Sequence, residues 1–584
     1  MTRQTANSTP PLNPCGLDSL SERQALVVLE GSAKQALETG RTRLLVAGLV
    51  FTLAFFVIAV RLVDVSLITG TAEARLAQGP SGPATAGARA DILDRNGTIL
   101  ATTLPTASLY ANPREVRDPR GAARQLARVL TGVSEAELTA KLDSERAFVW
   151  LQRHLTPRQH DAINRLGIPG LDFKRETKRI YPQGALAAHV VGFTDIDNRG
   201  LAGIERSFDE VLLGTERPLQ LSLDLRVQHI LTEELLAAMD EFRAIGAAGL
   251  VLDVRSGEVL ASVSLPTFDP AQPGRAVTEA RFNRTSLGIY EMGSVFKIFT
   301  TAMALDEGVV TLADGYDVSK PIRVARYVIR DFKPKNRWLS IPEIFIYSSN
   351  IGTVHMAMEA GTPSQRAYLE RLGLTHPSGV ELPEVGDPLL PSPWREINTM
   401  TISYGHGMAV SPLQLASAVA TVVNDGERIP ATLIKPLPGE RPLGERVFST
   451  KTSKAMRWLM RLGVQHGTGR KADAAGFLVG GKTGTADKVT GRRYASDANI
   501  SSFVGAFPMD APRYVIFAMV DEPKGHDGTF GYATGGWVAA PAVRRTVERM
   551  APLVGLEPRS GQVAEGLDQG LIPASAKGFT LAAH

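Results

Sequence analysis

Ser294 and Lys297 stand three residues apart in YEMGSVFK, residues 290–297. A serine hydroxyl is a poor nucleophile at neutral pH and needs a base within hydrogen-bond reach. On a helix, positions i and i+3 share a face, so Lys297 can approach Ser294 Oγ. A lysine is a base only when neutral, and burial together with a second nearby cation favours that form. Two later motifs supply the remaining parts. YSSNIG places Ser348 two residues before Asn350, and GGKTGTA carries Lys482, Thr483, Gly484 and Thr485. Ser348 can pass a proton, because a hydroxyl both donates and accepts. Asn350 offers an amide to orient a substrate backbone. Lys482 can be the second cation, and with the Thr483 hydroxyl it can hold a carboxylate. Gly484 removes a side chain where substrate would run close to a strand. The N–H groups of Ser294 and Thr485 are the natural donors to an oxyanion. A lone Ser-x-x-Lys is more often a solvated helix face than a site. Here Ser-x-x-Lys, Ser-x-Asn and Lys-Thr-Gly each occur once, in this order, each after an apolar stretch. Together they point to acyl transfer, with Ser294, Lys297, Ser348 and Lys482 as catalytic candidates and Asn350, Thr483, Gly484 and Thr485 as substrate-binding ones.

The elements that must carry these motifs are legible in outline. ARADILDRNGTILATT (88–103) has Asn96-Gly97 between two alternating apolar runs, a hairpin signal. Residues 113–167 are charged and helix-periodic, with AARQLARVL and AELTAKL as amphipathic helices. RIYPQGALAAHVVGF (179–193) mixes turn residues with a short apolar helix or strand. A second unit begins near residue 217, where 219–239 passes from strand-like alternation into a helical period. AAGLVLDVRSGEVLASVS (247–264) reads as two strands joined at Ser256-Gly257. Helices are predicted over 294–306 and 412–423, and strands at 480–486, 501–508 and 513–523. Strands flanking a helical middle make the fold class α+β, an antiparallel sheet packed on helices.

At 584 residues the chain is too long for one ordinary domain. A formal charge of +4, with its basic residues scattered, gives no reason to expect nucleic acid. The single cysteine, Cys15, cannot form an internal disulfide or a thiolate site, and the ten histidines show no ligand spacing, so no metal and no cofactor are predicted. LLVAGLVFTLAFFVIAV (44–60) carries no charge and no proline. With Leu62 and Val63 it reaches about 20 residues, enough to span a bilayer. Arg3, Arg23, Lys34, Arg41 and Arg43 precede it, which predicts a cytoplasmic N-terminus. The predicted organisation is therefore a cytoplasmic tail (1–40), a single transmembrane helix (41–65), a first outer domain (66–216), a catalytic domain (217–556) and a C-terminal tail (557–584). Residues 78–88, rich in Gly, Pro and Ala, read as a linker.

The three motifs are the general signature of penicillin-binding proteins and class A β-lactamases. The chain resembles class B penicillin-binding proteins, monofunctional peptidoglycan D,D-transpeptidases, over nearly all of its length after the apolar run. RADILDRNGTILA (89–101) is similar to the class's RGxIxDRNGxxLA, with Ala90 for the usual glycine. GLAGIERSFDEVLLG (200–214), LPTFDP (265–270), FNRTSLGIYEMGSVFK and GHGMAVSPLQLA (405–416) are similar to further motifs of the class. Glu291-Met292-Gly293 stands where the class often has Glu-Pro-Gly. GKTGTADKVTGRRY, SSFVGAFP and the segment 521–541 resemble the cell-division members more than the elongation members.

The resemblance implies a β-lactamase-like transpeptidase domain on an elongated pedestal, with Ser294 acylated, Lys297 as general base, and Ser348 with Lys482 in proton relay. It implies attack on the D-Ala–D-Ala bond of a stem peptide, release of the last D-Ala, and transfer to an amine of a neighbouring stem, with β-lactams acylating the same serine. It implies a bacterial inner-membrane location at the septum, a periplasmic catalytic domain, and pairing with the glycan polymerase FtsW and other divisome proteins. Arg89, Asp94 and Arg95 belong to the pedestal, where packing is their expected role. A hydrolase with the same motifs, an elongation transpeptidase and a non-catalytic division scaffold remain alternatives on residues alone.

Overall fold

The computed structural model describes residues 89–559 apart from 325–326, 438, 441 and 491–492, together with eight residues between 48 and 59. Those eight are helical and exposed; the rest of the predicted span 41–65 and of the tail after 559 lies outside the described residues. Among the described residues no helix is long and apolar enough to cross a membrane. Gly87–His584 forms one compact unit, and Met1–Ala86 is a separate one.

The first part of the compact unit is built around one long strand. The turn at Asn96-Gly97 forms as predicted: Asp94 Oδ1 accepts the N–H groups of Asn96 and Thr98, both at 2.8 Å, and Gly97 takes a left-handed φ of 88°. It joins β1 (Ile92–Leu93) to β2 (Ile99–Ala111). Strand β2 then pairs antiparallel with β3 (Val149–Leu155) and β4 (Leu171–Ile180). Strand β3 corrects the helix-periodic reading of 113–167. Helices do form at Pro119–Ala127 and Glu135–Leu142, but the chain then returns as a strand onto β2. That pairing partner lies some 40 residues away, so a local period cannot report it. The short strand β5 (Leu219–Gln220) pairs parallel with β1, which ties the later part of this compact unit to its first part.

A buried ion network closes this region. Arg89 Nε donates to Glu205 Oε2 at 2.5 Å, Arg179 Nε to Glu205 Oε1 at 2.7 Å, and Arg89 Nη1 to Asp209 Oδ1 at 2.5 Å. The Arg89 and Glu205 side chains are fully buried. Asp94 and Arg95 are also structural: Asp94 Oδ2 accepts the Leu225 N–H at 3.3 Å, and the Arg95 carbonyl accepts Lys435 Nζ at 2.9 Å.

The second part is an antiparallel sheet between helices. In chain order its strands are β6 (Gly246–Asp253), β7 (Val259–Leu265), β8 (Gly480–Thr490), β9 (Arg493–Phe507) and β10 (Tyr514–Asp521). Their spatial order is β8-β9-β10-β6-β7, every pair antiparallel. Every residue of β6, β7 and β10 is buried, so both faces of these strands are covered by packed elements. On one face pack α1 (Leu225–Glu241) and, from the end of the chain, Ala539–Met550. On the other lie α2 (Lys297–Asp306), Pro412–Val423 and Thr450–Gln465. Pro412–Val423 is apolar nearly all round and almost wholly buried, as a helix in the middle of a large core must be.

Glu205→Gln would strip the charge that holds two buried guanidinium groups. Breaking such a pair from one side costs roughly 3–5 kcal/mol. The thermal midpoint of the full-length chain should fall clearly, read by circular dichroism; an unchanged midpoint would mean that the network adds nothing to stability.

Candidate active site

The nucleophile turn is stitched onto the core on both sides of Ser294. Tyr290 and Val410 exchange backbone hydrogen bonds at 2.9 and 3.0 Å, and Glu291 Oε1 accepts the Gly407 N–H at 2.9 Å. Gly293 takes φ 55°, and a β-carbon there would lie 2.6 Å from the Thr485 carbonyl oxygen. Only glycine meets both demands. Ser294 then sits in a one-turn 3-10 helix, Gly293–Phe296, and the Lys297 N–H donates back to its carbonyl. Ser294 is partly exposed, while Lys297, the first residue of α2, is 1% exposed.

The second motif ends one helix and starts another. Helix α3 (Ile341–Tyr347) stops at Ser348, which adopts a left-handed conformation, φ 59° and ψ 43°. Helix α4 (Asn350–Arg371) begins next, with Ser349 as its N-cap accepting the Gly352 N–H at 3.0 Å. A non-glycine residue held left-handed costs about 1–2 kcal/mol, so surrounding contacts must over-determine it. They do. Lys297 Nζ donates to the Ser348 carbonyl at 2.5 Å, to Ser348 Oγ at 3.0 Å and to Asn350 Oδ1 at 2.7 Å. Lys482 Nζ, from β8, donates to the same Ser348 Oγ at 2.9 Å.

Two buried ammonium groups around one hydroxyl favour the neutral form of each. Burial pushes Lys297 well below the usual lysine range, the Lys482 charge pushes it further, and the Asp331 carboxylate partly opposes both. Burial brings Lys482 down to about 7. A neutral Lys297 keeps two of its three contacts through its hydrogens, to the Ser348 carbonyl and to Asn350 Oδ1, and its lone pair is left to take a hydroxyl proton.

Alternation along β8 sorts the third motif onto two faces. Lys482 and Gly484 face Ser348 and the nucleophile turn. Thr483 Oγ1 shares a 2.6 Å hydrogen bond with Thr468 Oγ1, and Thr485 Oγ1 accepts the Gly535 N–H at 3.2 Å. Gly484 differs from the expectation that its missing side chain admits substrate. A β-carbon there would meet Ser502 Oγ at 2.5 Å, the Met292 carbonyl at 2.6 Å and Val295 at 2.9 Å. It is the nucleophile turn that needs the space. Asn350 is also more engaged than expected: Oδ1 accepts from Lys297 and Nδ2 donates to the Arg330 carbonyl at 2.8 Å. One amide hydrogen remains for a substrate.

The structure thus brings Lys297, Ser348, Asn350 and Lys482 into one hydrogen-bonded cluster beside the turn of Ser294. It places Thr483, Gly484 and Thr485 on the adjoining strand. Two polar residues of the site were not singled out from sequence. Asp331 accepts Ser349 Oγ at 2.7 Å and the Ile351 N–H at 3.0 Å. His406 lies in the turn that holds Gly293 and Glu291; burial lowers its imidazole while Glu291 and Asp487 oppose that shift. No spacing rule marks an isolated Asp in RDFKPKN; His406 lies in GHGMAVSPLQLA, a stretch with a motif but no evident chemistry of its own. A cleft of about 510 Å³ opens beside the turn, between Glu291, Leu389–Pro391, Gly407–Ala409 and Asp487.

Comparison with known proteins agrees with this architecture. Residues 84–226 match the penicillin-binding protein dimerisation domain and residues 247–548 the penicillin-binding protein transpeptidase domain. The chain is 44% identical to a probable peptidoglycan D,D-transpeptidase FtsI of Caulobacter vibrioides, over 81% of this chain and 82% of that protein. It is 34% identical to a probable peptidoglycan D,D-transpeptidase PenA of Neisseria meningitidis, over 80% and 85%. The crystal structure of penicillin-binding protein 3 from Mycobacterium tuberculosis in complex with aztreonam superposes with a TM-score of 0.65 at 26% identity, covering 81% of this chain and 98% of that one. With a dimerisation domain followed by a transpeptidase domain, and a relative this similar across both, the chain belongs to the class B penicillin-binding proteins.

Proposed function

We propose that this chain is a peptidoglycan D,D-transpeptidase that crosslinks stem peptides during septal wall synthesis. The observation that carries the reading is the convergence of Lys297 Nζ and Lys482 Nζ on Ser348 Oγ, one helical turn from Ser294. Neutral Lys297 takes the proton from Ser294 Oγ as the oxygen attacks the carbonyl of the penultimate D-Ala. The oxyanion forms against the N–H groups of Ser294 and Thr485. The proton passes through Ser348, held by Lys482, to the departing D-Ala amine, and an ester to Ser294 remains. An amine of a second stem then attacks that ester and gives its proton back along the same path. The Thr483 and Thr485 hydroxyls hold the terminal carboxylate, Lys482 stays on Ser348, and Asn350 aligns the peptide. A β-lactam enters by the same attack.

The division role rests on the FtsI name of the Caulobacter relative and on the segments after residue 480. In the same reading residues 41–65 anchor the chain in the inner membrane, 66–216 form the pedestal, 217–556 act in the periplasm, and FtsW and other divisome proteins are the partners.

Three outcomes are expected. Ser294→Ala, at wild-type abundance, should form no adduct with a fluorescent penicillin, and cells relying on it should grow as filaments with halted septa. Swollen, rounded cells would move the enzyme to elongation, and normal division would sink the essential role. Lys482→Met should raise the pH at which acylation switches on. The lost cation no longer discourages protonation of Lys297, so a higher pH is needed to reach the neutral base; an acid limb that stays in place refutes the coupling. Gly484→Ala should slow acylation about 100-fold by displacing the nucleophile turn, with a thermal midpoint that falls less than that of Glu205→Gln.

A further inference from the structure

We propose that Asp331 is a positioning residue for the acylation step: it clamps the Ser349–Ile351 turn so that Asn350 and Ser348 face Lys297. The inference rests on the reading of Lys297 as the base. Asp331 binds the two residues on either side of Asn350, through Oδ2 to Ser349 Oγ and through Oδ1 to the Ile351 N–H. Its neighbour acts on Asn350 itself: the Arg330 carbonyl accepts from Nδ2 at 2.8 Å. A carbonyl can only accept, so the amide nitrogen must face Arg330 and the amide oxygen must face Lys297. The pair Arg330-Asp331 therefore sets which end of Asn350 the base meets.

The clamp also supports Ser348. That residue must stay left-handed to present both its carbonyl and its hydroxyl to Lys297. It is held from one side by two lysines and, one residue on, by the Ser349 hydroxyl tied to Asp331. Asp331 is 9% exposed. A carboxylate at the first turn of a helix whose N–H groups point at it is well placed on electrostatic grounds alone, so helix capping is the rival account.

The charge distinguishes the two. Lys297 faces Lys482 from β8, Asp331 from the clamp and His406 from the turn beside Gly293. Of these only Asp331 favours the ammonium form. Asp331→Asn keeps the shape and the bond from Ile351 but removes the charge. The neutral base then persists to lower pH while its alignment is poorer.

The test is single-turnover acylation of the full-length chain by a fluorescent penicillin across pH. Asp331→Asn should lower the plateau rate about 10- to 100-fold and move the acid limb to lower pH, opposite to Lys482→Met. Ser349→Ala, which unties the clamp and leaves the charge, should lower the plateau with the limb in place. An Asp331→Asn limb that does not move, with rate and thermal midpoint falling together, would assign Asp331 to helix capping and overturn the proposal. An unchanged plateau in Ser349→Ala would overturn it as well, and decides the matter should Asp331→Asn not fold. Lys297→Met forming adduct at the wild-type rate would instead overturn the assignment of the base, and the Asp331 proposal with it.

Discussion

Two buried lysines sharing one serine hydroxyl are the constraint on which the rest of the structure depends. Lys297 and Lys482 reach Ser348 Oγ at 3.0 and 2.9 Å. Two full charges bridged by one oxygen, about 5.5 Å apart, repel by roughly 3 kcal/mol at an effective dielectric of about 20, and each also loses hydration. One of the pair is driven neutral, which is the state a general base needs. The arrangement is costly to fold and useful for the same reason. It persists because every hydrogen of the Lys297 ammonium finds an acceptor on Ser348 or Asn350, and loss of one proton still leaves two hydrogens to hold the amine in place.

Holding those two amines together takes parts of the chain far apart in sequence. Lys297 starts a helix, Ser348 ends one, and Lys482 sits on an edge strand of the five-stranded sheet. The fit between helix and strand is steric before it is chemical. Gly293 lies against the Thr485 carbonyl, and Gly484 against the Met292 carbonyl and Val295. Two glycines, one on each partner, let the nucleophile turn rest on the strand and bring Lys482 to Ser348. Methionine at 292 is buried in the same core, and its carbonyl makes this contact with Gly484.

The pedestal region uses buried charge differently. Arg89, Arg179, Glu205 and Asp209 form a set in which each charge has an opposite partner. It locks one packing arrangement; the lysine pair, with like charges, sets up a proton transfer. Both depend on exclusion of water, which raises the cost of any unmatched group.

The hairpin at Asn96-Gly97, the strand pair joined at Ser256-Gly257 and the helix over 412–423 were legible in the sequence, because turn residues and hydrophobic period are local properties. So were the three site motifs, because acyl transfer demands residue types that rarely recur together by chance. Strand β3 was not legible, since its pairing with β2 is decided by a partner some 40 residues away. Asp331 and His406 carry no local signature. The role of Gly484 was misread because only packing shows what fills the space above it. By itself the sequence determined the local elements and the chemical inventory of the site. Tertiary structure alone decided the depressed lysine pKa values, the left-handed Ser348 and the orientation of Asn350. Each depends on burial or on a partner distant along the chain, and neither is a property of any short stretch of residues.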